Sequence, residues 1–103
     1  MSIKIYSEIN RIKEQALTCV DPSSLNGISE DIYQLAMHLK KKLKIVSKNP
    51  SHKATADFMR KKIKDYLDLS DFISDTLEEW GSSTGVDDEV YIQMIHERIE
   101  NDE

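Results

Sequence analysis

Apolar residues recur along this chain at spacings of three and four, the period that gathers side chains on one face of a helix; no run alternates strictly enough to read as a strand. A first helix is expected from about Ile3 to Cys19, with Ile5, Ile9, Ile12, Ala16 and Val20 on its apolar side. The stretch Asp21-Pro22-Ser23-Ser24-Leu25-Asn26-Gly27 then interrupts the pattern, since proline cannot continue a helix and glycine readily takes a left-handed backbone. Asp21 and Pro22 are also able to start one short helical turn. Ser29 is a good N-cap for a second helix, with Glu30 and Asp31 in the first turn, where the positive end of the helix dipole favours them. Ile28, Ile32, Leu35, Leu39, Leu43 and Val46 line one face of it as far as Lys48. The short link Asn49-Pro50-Ser51 makes the second and third helices antiparallel neighbours.

The third segment, from about His52 to Trp80, has the clearest period: Ala56, Met59, Ile63, Tyr66, Ser70, Ile73, Leu77 and Trp80 alternate spacings of three and four. This is the seam of a coiled coil or bundle, with Ser70 its one polar member. Phe58, Leu67, Leu69 and Phe72 widen the face, as in a helix covered on more than one side. Ser70-Asp71 is also able to cap a new helix, with a kink near Leu69. Unbroken, the segment would be about 43 Å long against about 30 Å for the second helix, so something else must cover its far end. Gly81-Ser82-Ser83-Thr84-Gly85 reads as a flexible connection. Asp87 then caps a last helix, Val86 staples against Tyr91, and Val90, Tyr91, Met94, Ile95 and Ile99 form the buried stripe. The elements predict an all-α fold, a small up-and-down bundle of about four helices with one long third helix, as a single domain over residues 1–103.

Charge changes this picture more than composition does. The apolar fraction is 39% and the charged fraction 32%, the latter above the usual value of about 25%, so the core is modest. The net charge of −5 hides a strongly dipolar chain. Residues 38–64 hold ten of the fourteen bases (Lys40, Lys41, Lys42, Lys44, Lys48, Lys53, Arg60, Lys61, Lys62 and Lys64) against Asp57 alone. Residues 65–103 hold thirteen acids against Arg98. Folded onto the helices, the bases collect at the tip of the hairpin formed by helices two and three. Three arrangements account for the layout. The acidic tail or the acidic half of the third helix lies near the basic tip within the monomer; a two-fold dimer pairs the third helix antiparallel with its mate along the heptad seam; or one pole is a surface for a macromolecule of opposite charge.

Signatures of catalysis are missing: there is no glycine-rich phosphate loop, nucleophile elbow or cysteine pair, and the three glycines give little material for tight turns. His38, His52 and His96 are scattered without zinc-binding spacing. Asp65, Asp68, Asp71 and Asp75 share a helical ridge but lack the glycine turn of a calcium loop, and read as a solvated face. No metal and no cofactor is expected. Cys19, the only cysteine, permits no intramolecular disulfide and is expected as a buried, inert thiol on the apolar side of the first helix. No run resembles a secretory leader or a membrane span, so the expected location is cytoplasmic and no membrane partner is expected.

The expected function is accordingly a non-enzymatic helical protein that binds another protein, one with a basic surface, as inhibitor, immunity factor, chaperone or adaptor, and that forms a homodimer. The candidate surface is Asp65, Asp68, Asp71, Asp75, Glu78, Glu79, Glu97 and Glu100, which are numerous and poorly balanced locally. The alternative is nucleic-acid binding by Lys40, Lys41, Lys44, Lys48, Lys53, Arg60, Lys61 and Lys64, a cluster able to neutralise several phosphates. Phe58 is the one aromatic in that stretch, so base stacking has little to build on.

Overall fold

The computed structural model describes residues 3–82, 85 and 87–101, and, of these, side chains from Ser7 onward. Among these residues the chain forms four α-helices and one 3₁₀ turn, with no strand: α1 (Ile3–Leu17), α2 (Pro22–Val46), the turn Pro50–His52, α3 (Lys53–Ser82) and α4 (Asp88–Asn101). The expected all-α bundle with a long third helix is what the chain adopts.

The first two helix boundaries differ from the periodic reading. α1 closes with tightened bonds from the Thr18 and Cys19 amides to Gln15 O and Ala16 O, at 3.1 and 3.0 Å. Cys19 and Val20 therefore lie in a linker. Cys19 is half-buried rather than buried on a helix face, and Val20 is 64% exposed. α2 starts at Pro22, not at Ser29, because Asp21 is a complete N-cap. Its backbone is extended, its carboxylate accepts the Ser24 amide at 2.9 Å, and Pro22 fills the first helical position, where a missing N–H costs nothing. Gly27 is carried inside the helix in a right-handed conformation, a cost of roughly 1 kcal/mol that the neighbouring Leu25 and Ile28 offset by burial.

Ser29 consequently faces the core. Its hydroxyl donates to Ser70 O at 3.0 Å and lies 2.7 Å from Ser74 Oγ, while Ser70 Oγ donates back to Ser29 O at 2.9 Å. This reciprocal pair satisfies two buried hydroxyls and fixes the register of α2 against α3. With its hydroxyl used across the helix pair, Ser70 caps nothing, and α3 runs unbroken for 30 residues through Leu69 and Gly81. Packing runs round a ring, α1 on α2, α2 on α3, α3 on α4 and α4 on α1. Asp87 caps α4 as expected, accepting the Glu89 amide at 3.2 Å. Trp80 and Tyr91 stack at 5.7 Å between ring centres, and Trp80 Nε1 donates to Asp88 at 2.8 Å, which closes α4 back onto α3. The buried stripe of α4 is Tyr91, Ile95 and Ile99; Val90 and Met94 are exposed. The Ser83-Thr84 link and the Val86 staple lie outside the described residues, and the side chain of Ile5 outside the described side chains.

The bundle is 55 × 21 × 20 Å, longer than α1 or α4 can cover. α4 runs back from Trp80 only as far as Phe72, over whose ring Arg98 sits. α1 lies along α2 with Glu8 and Arg11 beside Gln34, Leu35 and His38. Beyond these reaches the α2–α3 hairpin stands alone. Burial records the change on α2, where Leu25, Ile32, Ala36 and Leu39 are fully buried, Leu43 and Val46 half-buried and Ile45 71% exposed, while on α3 Ala56 and Met59 stay buried close to the tip. The molecule thus has a base of four helices and a prong of two.

Candidate interaction surfaces

The bases lie on the half of the α2–α3 hairpin toward the prong, with Lys44, Lys48 and Lys53 on the prong itself. Lys40, Lys41, Lys44, Lys48, Lys53, Arg60, Lys61 and Lys64 are all exposed. Some are held locally: Asp57 accepts Lys53 at 3.0 Å and Arg60 at 2.8 Å, Lys61 stands 4.0 Å from Asp65, and Lys62 lies over the Phe58 ring. The Asp57 carboxyl is kept below the usual carboxylate range, first by its hydrogen bond from Lys53 and then by that residue's charge. Lys40, Lys41, Lys44, Lys48 and Lys64 form no ion pair with another described residue. Ile45 and Phe58, 71% and 47% exposed, put apolar surface among these charges.

The eight acids of the candidate protein-binding surface do not form one surface. Asp65 is half-buried; Asp68, Asp71, Asp75, Glu78 and Glu79 are exposed along α3. Spacings of three and four place Asp68, Asp71, Asp75 and Glu78 on one ridge, continuous with Lys61 and Lys64. Glu97 and Glu100 belong instead to α4, where they line a groove of about 640 Å³ with Val20, Glu89, Ile92 and His96. His96 Nε2 donates to Cys19 O at 2.9 Å and ties the α1–α2 linker to α4 at this place. The Cys19 thiol beside it is pushed up in pKa by burial and then by Asp21, and donates to Gln15 O at 3.3 Å, so it is a poor nucleophile.

The monomer arrangement in which acids neutralise the prong is not the one found. The ion pairs joining described residues, Glu8–Arg11, Lys53–Asp57, Arg60–Asp57 and Lys61–Asp65, each lie within one helix. Arg98, in the last turn of α4, lies over Phe72, about 30 Å from the tip at 1.5 Å per residue. The heptad seam of α3 is not available to a dimer either: Ala56, Met59, Ile63, Tyr66, Ser70 and Ile73 are buried within the chain, and Leu77 and Trp80 are half-buried.

Among the described residues no three His, Cys, Asp or Glu side chains converge as a metal site requires, and no helix is long and apolar enough to cross a membrane. The groove escaped the sequence reading because Val20 fits the periodic stripe of α1. The signal that separates it is Asp21-Pro22, a helix start strong enough to force the preceding residues into a linker. Compared with protein-family models, with curated proteins and with solved structures, the chain matches none.

Proposed function

We propose that the protein is a non-enzymatic helical module whose acidic base receives a basic protein surface, in the manner of an inhibitor, immunity factor, chaperone or adaptor. The observation that carries this reading is the excess of acids after Lys64, on the second half of α3 and on α4, over the bases of those same segments. Arg98, the one base after Lys64, lies over Phe72 at 5.0 Å, and the last turns of α1 and α3 contain no base. Carboxylates at the C-terminal ends of helices are unfavourable until a cation meets them, and a partner supplies what the chain does not. A homodimer and a cytoplasmic location belong to the same reading, the latter because a lone free thiol suits a reducing compartment.

Capture of partners from the native lysate with and without nuclease tests it. A nuclease-resistant protein is expected, and it should be lost when Asp71, Asp75, Glu78, Glu79, Glu97 and Glu100 are changed together to the corresponding amides. Undiminished capture by that variant overturns the reading. A second reading, nucleic-acid binding by the basic end of the α2–α3 hairpin, is favoured by the exposure of its lysines. It predicts capture that disappears with nuclease and with Lys41→Gln, Lys44→Gln, Lys61→Gln and Lys64→Gln in combination, the salt slope falling by about 3 for four lost phosphate contacts.

A further inference from the structure

We infer that the groove between α4 and the α1–α2 linker is a seat for the prong of a second copy of this chain, with Ile45 entering against Val20 and Ile92. The inference rests on the reading of the acidic base as a receiving surface and names one occupant for it.

Two surfaces of the molecule are complementary in charge and in apolar centre. Toward the prong, Lys41, Ile45 and Lys48 follow at four and three residues, on one side of α2 and the turn after it. Among the described residues Ile45 is the most exposed of the large apolar side chains, at 71%, ahead of Val20 at 64%. On the base, Ile92 lies between Glu89 and Glu97 on α4, with Glu100 one turn further and Val20 facing them from the linker. An exposed isoleucine between two lysines thus meets a groove in which Val20 and Ile92 are edged by Glu89, Glu97 and Glu100.

Both partners gain what they lack alone. Ile45 and Val20 leave water, the lysines meet carboxylates, and the cation-poor C-terminal turn of α4 acquires positive neighbours. A single chain cannot make this contact internally, since the prong and the groove lie toward opposite ends of a 55 Å molecule. Two molecules laid antiparallel bring each prong to the other's base, so the contact can be made twice in a closed two-fold pair. The pairing uses no residue of the α3 seam, which stays inside each monomer.

Sedimentation equilibrium of the purified full chain tests this. At low salt the mass should rise above that of the monomer with increasing concentration, and about 0.5 M salt should return it to the monomer by shortening the screening length. Lys41→Glu with Lys48→Glu should abolish association, as should Glu97→Lys with Glu100→Lys, while mixing these two monomeric variants should restore a heterodimer. Ile45→Ser should weaken association by roughly tenfold without changing the melting temperature, since the side chain is exposed in the monomer. A wild-type chain that stays monomeric at low salt, or association that survives both charge reversals, overturns the inference. The wider reading fails differently: it falls if a lysate partner is held equally well after the base is neutralised, whatever the mass of the purified chain.

Discussion

The base and the prong are built from the same two helices with the same apolar period, yet they differ in how that period is used. In the base α1 and α4 complete the wall, and Leu25, Ile32, Leu69, Ile73 and Ile95 are fully buried. In the prong the seam continues through Leu43, Val46, Ala56 and Met59, of which the first two are only half-buried, and Ile45 and Phe58 face outward. A heptad therefore states which residues two helices share; how deeply they are buried depends on a third and a fourth element that the heptad does not mention.

The largest effect that separates the two regions is truncation of their apolar residues. Leu69→Ala or Ile95→Ala should cost about 2–5 kcal/mol, because a fully enclosed side chain leaves a cavity its neighbours cannot close. Val46→Ala should cost about 1 kcal/mol or less, since the side chain is half-buried at an open end. Urea unfolding of the three variants gives the comparison directly. Equal costs at Leu69 and Val46 would mean that the prong is as well enclosed as the base.

Next in size is the difference in local opening. Amide exchange should be slowest in α2 and α3 where Ser29 meets Ser70, and faster toward Ser47 and Lys53, because the tip opens without disturbing the four-helix core. Uniform protection along the hairpin would remove the distinction between base and prong as folding units.

Sequence reasoning found the helices, the antiparallel hairpin and the separation of charge, all of which follow from local period and short connections. It misplaced what depends on competition between neighbouring signals. Ser29 has the chemistry of an N-cap, but Asp21 with Pro22 offers a better one, and once α2 starts there Ser29 is turned toward α3. Val20 fits the apolar stripe of α1, but the same Asp21-Pro22 start excludes it from the helix. The acids of α3 and α4 form one run in sequence and two surfaces in space, because α4 folds back onto one side of α3 only.

A smaller effect tests the joint between linker and base. His96→Ala removes the hydrogen bond to Cys19 O, and should cost about 1 kcal/mol. His96→Gln should recover part of this, since an amide N–H can reach the same carbonyl. Failure of both variants to change the unfolding midpoint would show that the linker is held by packing of Leu17 and Cys19 against the core instead.

The smallest effect is a response to acid that differs in kind between the two regions. Asp21, which caps α2 in the base, and Asp57, which bridges Lys53 and Arg60 on the prong, both have carboxyls held below the ordinary value of about 3.9. A depressed folded-state pKa stabilises the fold above the unfolded value. That contribution is complete above about pH 4–5 and is lost as the pH falls below 4 through the folded values. The causes differ: for Asp21 the Ser24 amide comes first, for Asp57 the bond and charge of Lys53. Salt should therefore erode the Asp57 contribution and largely spare that of Asp21, since screening acts on exposed charges more than on a hydrogen bond to the backbone. Asp21→Asn supplies the control, because asparagine caps a helix about as well as aspartate but does not titrate. Its melting temperature should nearly match the wild type at pH 7 and decline less between pH 5 and pH 3. If Asp21→Asn and the wild type decline together over that interval, the cap at Asp21 does not contribute to the acid response of the base.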